Sequence, residues 1–193
     1  EVLEAPARLL CDAVVGATDI PGFQQWLLPS LAEAPSIRGA ANLEAVGSVT
    51  TRVVTSRPVR ADDPQMGIFS GAFRTLDTYF LLSRYQDEFI AFRARTGGEV
   101  IELHSYLASR ELEASSPATR RVLVEREVVR AWPELAGAIV HVESAANERT
   151  FDKQGVGHAR FQPRMRTEVP NLVLCGSWIR TDEAVHDMEK AVV

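Results

Sequence analysis

The sequence predicts a mixed α/β protein in which both chain ends enter one parallel sheet and the middle forms a separate antiparallel sheet with helices. Short, continuous apolar runs lie near the two ends, at residues 9–16 and 171–176. Such runs are typical of parallel strands that are covered on both faces. Segments of alternating polarity lie between them, at residues 43–60, 76–83 and 99–108. This alternation is typical of antiparallel strands with one face in water.

The first apolar run ends at a cluster of turn residues, Thr18 to Gly22. We therefore expect a buried strand followed at once by a turn. The next segment, Phe23 to Leu31, spaces its large apolar residues as a helix does. It predicts a short helix with Trp26 packed inward.

The middle of the chain predicts several antiparallel strands and one helix. The first of these strands ends before Pro58. Val49, Thr51 and Val53 share one face of it, and we expect this face to point toward the core. Further predicted elements are a strand at Met66 to Phe69, a strand at Leu76 to Ser83 and a helix at Arg84 to Ala94 that ends before Gly97-Gly98.

The strand over residues 99–108 places Ile101 and Leu103 on one face and His104 and Tyr106 on the other. Two interpretations of His104 and Tyr106 stay open. They line a cavity above a ligand, or they face solvent or a helix end.

The longest predicted helix begins at Ser115-Ser116-Pro117, because Ser116 suits an N-cap and proline suits the first helical position. Val124, Val128 and Trp132 form its inward stripe. Its charged residues are expected on a solvated face: Arg120, Arg121, Glu125, Arg126, Glu127 and Arg130. Residues 138–144 predict a strand, and residues 147–165 predict irregular structure.

Composition excludes several classes of function. The net charge is −5 and the pI is about 5.4, so an electrostatic nucleic-acid binder is not expected. No apolar run is long enough to cross a bilayer, and the four histidines show no zinc-ligand spacing. Cys11 and Cys175 are expected to be buried free thiols, as in a reducing, cytoplasmic compartment.

The last stretch, Asn171 to Val193, reads NLVLCGSWIRTDEAVHDMEKAVV. It predicts a strand, a turn at Gly176-Ser177 and a helix with Met188 on its apolar face. This order holds cofactors in many α/β proteins. Glycine allows close approach of the backbone to a ligand, and a helix's first turn offers unpaired N–H groups.

This stretch resembles the C-terminal FAD motif of carotenoid (phytoene) desaturases and of flavin-containing amine oxidases. The matching segments are Asn171 to Trp178 and Met188 to Val192. The run from Cys11 to Thr18 similarly resembles the family's strand that returns the chain to the FAD sheet. One departure is Ser177, where the family usually has an acidic residue that contacts the flavin's ribityl side.

The resemblance implies a domain plan and a cofactor. Residues 1–35 and 166–193 would be parts of an FAD-binding domain, and residues 36–165 would be an inserted substrate lobe. The implied FAD contacts are Gly176, Ser177, Asp187 and Met188, with Ala17 and Thr18 beside them. The implied reaction is hydride transfer to the flavin from a long apolar, isoprenoid or carotenoid-like substrate. Such a substrate also makes association with a membrane surface an expectation.

No GxGxxG follows a strand in this sequence, although the resemblance implies one near the family's N-terminus. We therefore expect the C-terminal part of a larger FAD-dependent oxidoreductase, which by itself lacks flavin and is inactive. Two alternatives stay open: part of a flavin amine oxidase, or a non-enzymatic module that binds an apolar ligand or a protein. No catalytic acid or base is assigned.

Overall fold

The computed structural model describes residues 10–31, 33–71, 73, 75–106, 112 and 114–182. The chain divides into two compact units. The first comprises residues up to Ala45 together with those from Phe151 onward, and the second spans Val46–Thr150. Both boundaries lie inside the predicted substrate lobe of residues 36–165.

The first unit contains a two-stranded parallel sheet built from the two ends of the chain. Strand β1 (Val14–Gly16) pairs with β7 (Leu172–Leu174), and the register joins Val14 to Leu172 and Gly16 to Leu174. The predicted neighbouring of the two apolar runs is therefore confirmed. Within the described range, β1 is shorter than the run of residues 9–16 that predicted it. Val14 and Val15 are 37% and 65% exposed, so the prediction of a buried strand was wrong for these two residues.

Helical turns follow β1 and supply part of this unit's core. Helix α1 (Ile20–Gly22) continues into a π-helical turn (Phe23–Leu27) and helix α2 (Leu28–Leu31). After a turn come α3 (Pro35–Arg38) and a 3₁₀ turn (Gly39–Asn42). The buried residues are Ile20, Phe23, Ile37, Ala40, Leu43, Leu172, Leu174, Trp178 and Ile179.

Two side chains lie differently from the prediction. Trp26 is 67% exposed, because Phe23 fills the inward position on this helical segment. The π-helical turn shifts the helical period there, so spacing calculated for an α-helix selects the wrong face. Cys11 is exposed and Cys175 is half-buried, so neither is the fully buried thiol that the apolar runs predicted.

The second unit is built on a five-stranded sheet in the order β3-β4-β5-β2-β6. The strands are β2 (Ala45–Thr55), β3 (Met66–Ile68), β4 (Thr78–Leu81), β5 (Glu99–Ser105) and β6 (Ile139–Asp152). β5 runs antiparallel to both β2 and β4. The sheet matches the predicted antiparallel part, but β6 extends to Asp152 through residues that were predicted to be irregular.

One face of this sheet is covered by helix α5 (Pro117–Ala131). Ser116 caps the helix by accepting a bond from the Thr119 N–H, as predicted. Val124, Val128 and Trp132 are buried against Val53, Ile101 and Leu103 of the sheet. This burial of apolar surface is the main stabilisation of the unit.

Arg120 and Glu127 are buried, which corrects their predicted place on a solvated face. Arg120 donates to the carbonyls of Leu112 and Ser115 just before α5. Glu127 accepts from the backbone N–H and the hydroxyl of Thr75. Long charged side chains are buried where they satisfy backbone groups, and the helical charge pattern does not reveal such partners.

Helix α4 (Asp87–Thr96) begins three residues later than predicted, because Leu82–Arg84 form a 3₁₀ turn. It ends at Gly97, whose φ of 73° lies in the left-handed region that glycine adopts readily. Among the described residues, no helix is both long and apolar enough to cross a membrane.

Candidate functional site

Four of the predicted site residues lie just beyond the carboxyl ends of β1 and β7. Ala17 and Thr18 come directly after β1. Gly176 and Ser177 come after β7 and are separated from it by Cys175. The Cys175 N–H donates to the Gly16 carbonyl at 3.1 Å, which continues the parallel pairing past β7. Ligands of parallel α/β sheets bind at this edge. Asp187 and Met188 lie outside the described residues.

Trp178 joins the two segments that follow these strands. Its Nε1–H donates to the Thr18 carbonyl at 2.7 Å. Its ring packs on Phe23 with centroids 4.9 Å apart, and only 3% of the residue is exposed. The resemblance included Trp178 in its motif but implied no role for it. The indole fixes the distance between the two loops at the candidate site.

Gly176 has a φ of 137°, a conformation that residues with a side chain rarely adopt. A Cβ built there would lie 2.9 Å from Nε1 of Trp178 and 3.7 Å from the Thr18 carbonyl oxygen. The glycine is therefore required by the close packing of Trp178. Direct contact of Gly176 with a cofactor stays a prediction.

The loop after β1 contains a buried hydroxyl group, that of Thr18. This hydroxyl has no hydrogen-bond partner among the described residues. Ala17 beside it is exposed, and Ser177 is half-buried. An unpartnered buried hydroxyl has an energetic cost that a bound polar group would remove. These residues fit the polar part of a flavin nucleotide.

A second set of polar groups lies on the face of the antiparallel sheet opposite α5. His104 Nδ1 lies 3.0 Å from the Tyr106 hydroxyl, and His104 Nε2 lies 3.1 Å from Glu102 Oε1. The other carboxylate oxygen of Glu102 accepts from Arg52 at 2.7 Å. His104 and Tyr106 are both partly exposed, and they are linked to each other by the first of these contacts.

Burial raises the pKa of Glu102, but hydrogen bonds from Arg52 and His104 outweigh it and hold that pKa below its usual value. A shallow cavity of about 260 Å³ adjoins this carboxylate. It is lined by Thr50, Arg52, Glu102, Glu143 and Ala145.

Sequence reasoning missed a buried ion pair at the start of β5. Glu99 is fully buried and lies 2.9 Å from Arg93 of α4 and 4.0 Å from Arg84. It ties α4 to the sheet and has no exposed surface for a ligand. Within the described ranges, no group of three or more His, Cys, Asp or Glu side chains is placed to hold a metal ion.

Comparison with protein families places this chain in a known group. The family described as flavin containing amine oxidoreductase matches residues 2–193. Carotenoid phi-ring synthase of Chlorobaculum tepidum is 30% identical over 193 residues, which cover 99% of this chain and 30% of that protein. Carotenoid phi-ring synthase of Streptomyces griseus is 30% identical over 145 residues, 74% of this chain and 27% of that protein. This chain therefore spans about 30% of the length of these curated relatives.

Two solved structures share the fold. The first is described as a putative protoporphyrinogen oxidase from Exiguobacterium, with a TM-score of 0.58 and 12% identity; 87% of this chain and 36% of that chain are covered. The second is an oxidoreductase from Methanosarcina mazei, with a TM-score of 0.55 and 13% identity; the coverage is 94% and 41%. The matched family model spans nearly every residue, and this chain belongs to the flavin-containing amine oxidoreductase family, with carotenoid enzymes among its relatives.

Proposed function

We propose that this chain is part of an FAD-dependent oxidoreductase that acts on a long, apolar, carotenoid-like substrate. The observation that carries the proposal is the parallel pairing of β1 with β7. It places Thr18 and Gly176 together at the sheet edge where α/β proteins bind cofactors. Family membership supports the flavin, and the names of the two curated relatives support the carotenoid.

We propose that the loops after β1 and β7 hold FAD. The Thr18 hydroxyl and the half-buried Ser177 offer hydrogen bonds, and exposed Ala17 leaves space beside them. Gly176 shapes the loop, and Asp187 and Met188 complete the proposed set. The cofactor supplies hydride acceptance, and the protein supplies orientation and exclusion of water.

Ser177 offers a direct test of the cofactor site, because most of the family carries an acid at this position. We expect Ser177→Asp to tighten FAD binding and Ser177→Ala to weaken it, as measured by titrating FAD fluorescence with the purified full-length protein that contains this chain. Ser36→Ala is the control, since the hydroxyl of that serine donates to Glu168 elsewhere in the same unit. Equal affinities for all three variants would place the flavin away from Ser177.

The substrate is tested in a host that accumulates carotenoids. We expect expression of the full-length protein that contains this chain to change the pigment profile seen by chromatography with absorbance detection. Because carotenoids dissolve in lipid, we also propose that the enzyme meets its substrate at a membrane surface, and we expect it to float with liposomes in a density gradient.

The family description favours a second candidate, oxidation of an amine. That reaction would release hydrogen peroxide from polyamines and leave the host's pigments unchanged. A non-enzymatic module would instead co-purify with a pigment that stays chemically unaltered. One set of preparations, assayed for pigment change, peroxide and bound pigment, separates the three functions.

A further inference from the structure

Strand β1 of the first unit has one edge that no other strand occupies. Among the residues that the structure describes, only β7 pairs with it, and the two form a parallel sheet. Sheets in globular proteins have about five or six strands on average, and parallel sheets are covered on both faces. The strand number therefore indicates that this sheet has further partners.

The main-chain bonds identify the residue of β1 that faces the open edge. The Val14 N–H donates to the Asn171 carbonyl at 2.8 Å, and the Gly16 carbonyl accepts from the Cys175 N–H at 3.1 Å. Both residues of β1 thus direct main-chain groups toward β7. Because this direction alternates along a strand, the N–H and C=O of Val15 point away from β7. These are the groups that an edge strand offers to another strand.

The other edge of the sheet is already occupied. The Leu174 N–H donates to the Met165 carbonyl at 2.9 Å, on the side of β7 away from β1. Arg166, next to Met165, forms an antiparallel bridge with Val173 of β7. A further strand therefore has access to this sheet at β1 and not at β7.

The two faces of the sheet differ in the same way as its edges. On one face Leu174 is fully buried, and Leu27 Cδ1 lies 3.3 Å from the point where a Cβ on Gly16 would be. On the other face Val15 lies beside Val173, its partner in the register, and they are 65% and 37% exposed. One face is packed as a parallel sheet requires, and the other exposes a pair of valines.

We propose that the open edge of β1 binds a parallel strand from the part of the full-length protein that lies outside these 193 residues. The same part covers the side chains of Val15 and Val173. The occupant follows from length, because this chain spans only about 30% of its curated relatives, and most of such a protein lies outside it.

A second copy of the chain fits this edge less well. A two-fold axis would place the two copies of β1 side by side in opposite directions. The resulting sheet would mix parallel and antiparallel pairs, whereas purely parallel sheets are over-represented. A strand from the same protein keeps the direction that β1 and β7 share.

Hydrogen–deuterium exchange of the full-length protein, resolved to single amides by mass spectrometry, tests the edge. The Val14 and Cys175 amides are internal controls, because their bonds lie within this chain. We expect the Val15 amide to exchange at least about 100-fold more slowly than an unstructured amide, as in a paired strand. Fast exchange at Val15 with slow exchange at both controls overturns the added strand.

Photo-crosslinking identifies the occupant. An amino acid with a diazirine side chain is placed at position 15 of the full-length protein, and mass spectrometry locates the peptide that it captures. We expect that peptide to lie outside these 193 residues. The control is the same amino acid at position 27, which we expect to capture peptides of the first unit, since Leu27 packs on the buried face.

Each result decides for or against the added strand. A cross-link between two copies, or within these 193 residues, overturns the proposal, and so does a captured peptide without protection of the Val15 amide. If position 15 captures nothing, the exchange of that amide decides. Neither measurement needs flavin or substrate, so this inference and the proposed function stand or fall separately.

Discussion

The indole Nε1–H of Trp178 donates to the carbonyl oxygen of Thr18 at 2.7 Å, across 160 residues of sequence. This bond joins the loops that follow the two parallel strands of the first unit. It also explains Gly176, whose missing side chain leaves the space that the indole occupies. The geometry of the candidate flavin site therefore depends on a residue that itself lies buried beneath it.

We expect Trp178→Phe to lower the free energy of unfolding by about 1 to 3 kcal/mol, because it leaves the Thr18 carbonyl without its partner. The measurement is urea unfolding followed by circular dichroism. Trp26→Phe is the matched control, since that indole is 67% exposed, and we expect a change within about 0.5 kcal/mol. A larger effect from Trp26 would contradict the assignment of Trp178 as the buried link.

Gly176→Ala introduces a side chain at a φ of 137° and against the indole. We expect destabilisation of about 1 to 3 kcal/mol, the typical cost of backbone strain at such positions. Gly155→Ala adds the same methyl group where no atom lies within 4 Å and is expected to be neutral or slightly stabilising. Thermal unfolding of both variants checks this, and equal midpoints would show that the Gly176 loop relaxes freely.

Glu127→Gln tests the buried carboxylate of helix α5. The carboxylate accepts two bonds from Thr75, at 3.0 Å from the N–H and 2.6 Å from the hydroxyl. Bonds to a charged acceptor are worth about 1.5 to 3 kcal/mol each, and the amide replaces them incompletely, so we expect a loss on that order. Glu125→Gln on the exposed face changes only an i,i+4 pair, worth about 0.5 kcal/mol or less. Similar losses from the two variants would refute the role given to Glu127.

The stability of the antiparallel sheet should depend on pH through Glu102. Its pKa is lower in the folded protein than its ordinary value of 4.5. The group therefore stabilises the fold above that ordinary value, and this contribution is lost as the pH falls through the folded pKa. We expect Glu102→Gln to be less stable than wild type at pH 7 and equally stable at an acid pH below the folded pKa of Glu102.

The control for this pH dependence is Glu143→Gln, whose carboxylate on the same face is 79% exposed. We expect its unfolding midpoint in urea to match wild type at both pH values. A gap between wild type and Glu102→Gln that persists in acid would rule out ionisation of Glu102 as its source.

Periodicity predicted elements best where the pattern spans a whole strand or helix. The alternation of Val49, Thr51 and Val53 and the stripe of Val124 and Val128 both place the correct faces in the core. The cap at Ser116 was also predictable, because capping depends on residues adjacent in sequence. Trp26 was misplaced because a π-helical turn breaks the period that the prediction assumed.

The candidate site was harder to predict than the fold. Local residue chemistry was enough to locate a strand and a glycine turn at Gly176, and to pair the two apolar runs. It did not reveal that Trp178 bonds to Thr18, or that Tyr106, His104 and Glu102 connect in one chain to Arg52. Short-range preferences along a chain are recorded in its residue order. Contacts between distant segments depend on the packing of the whole unit, and so they emerge only in the folded protein.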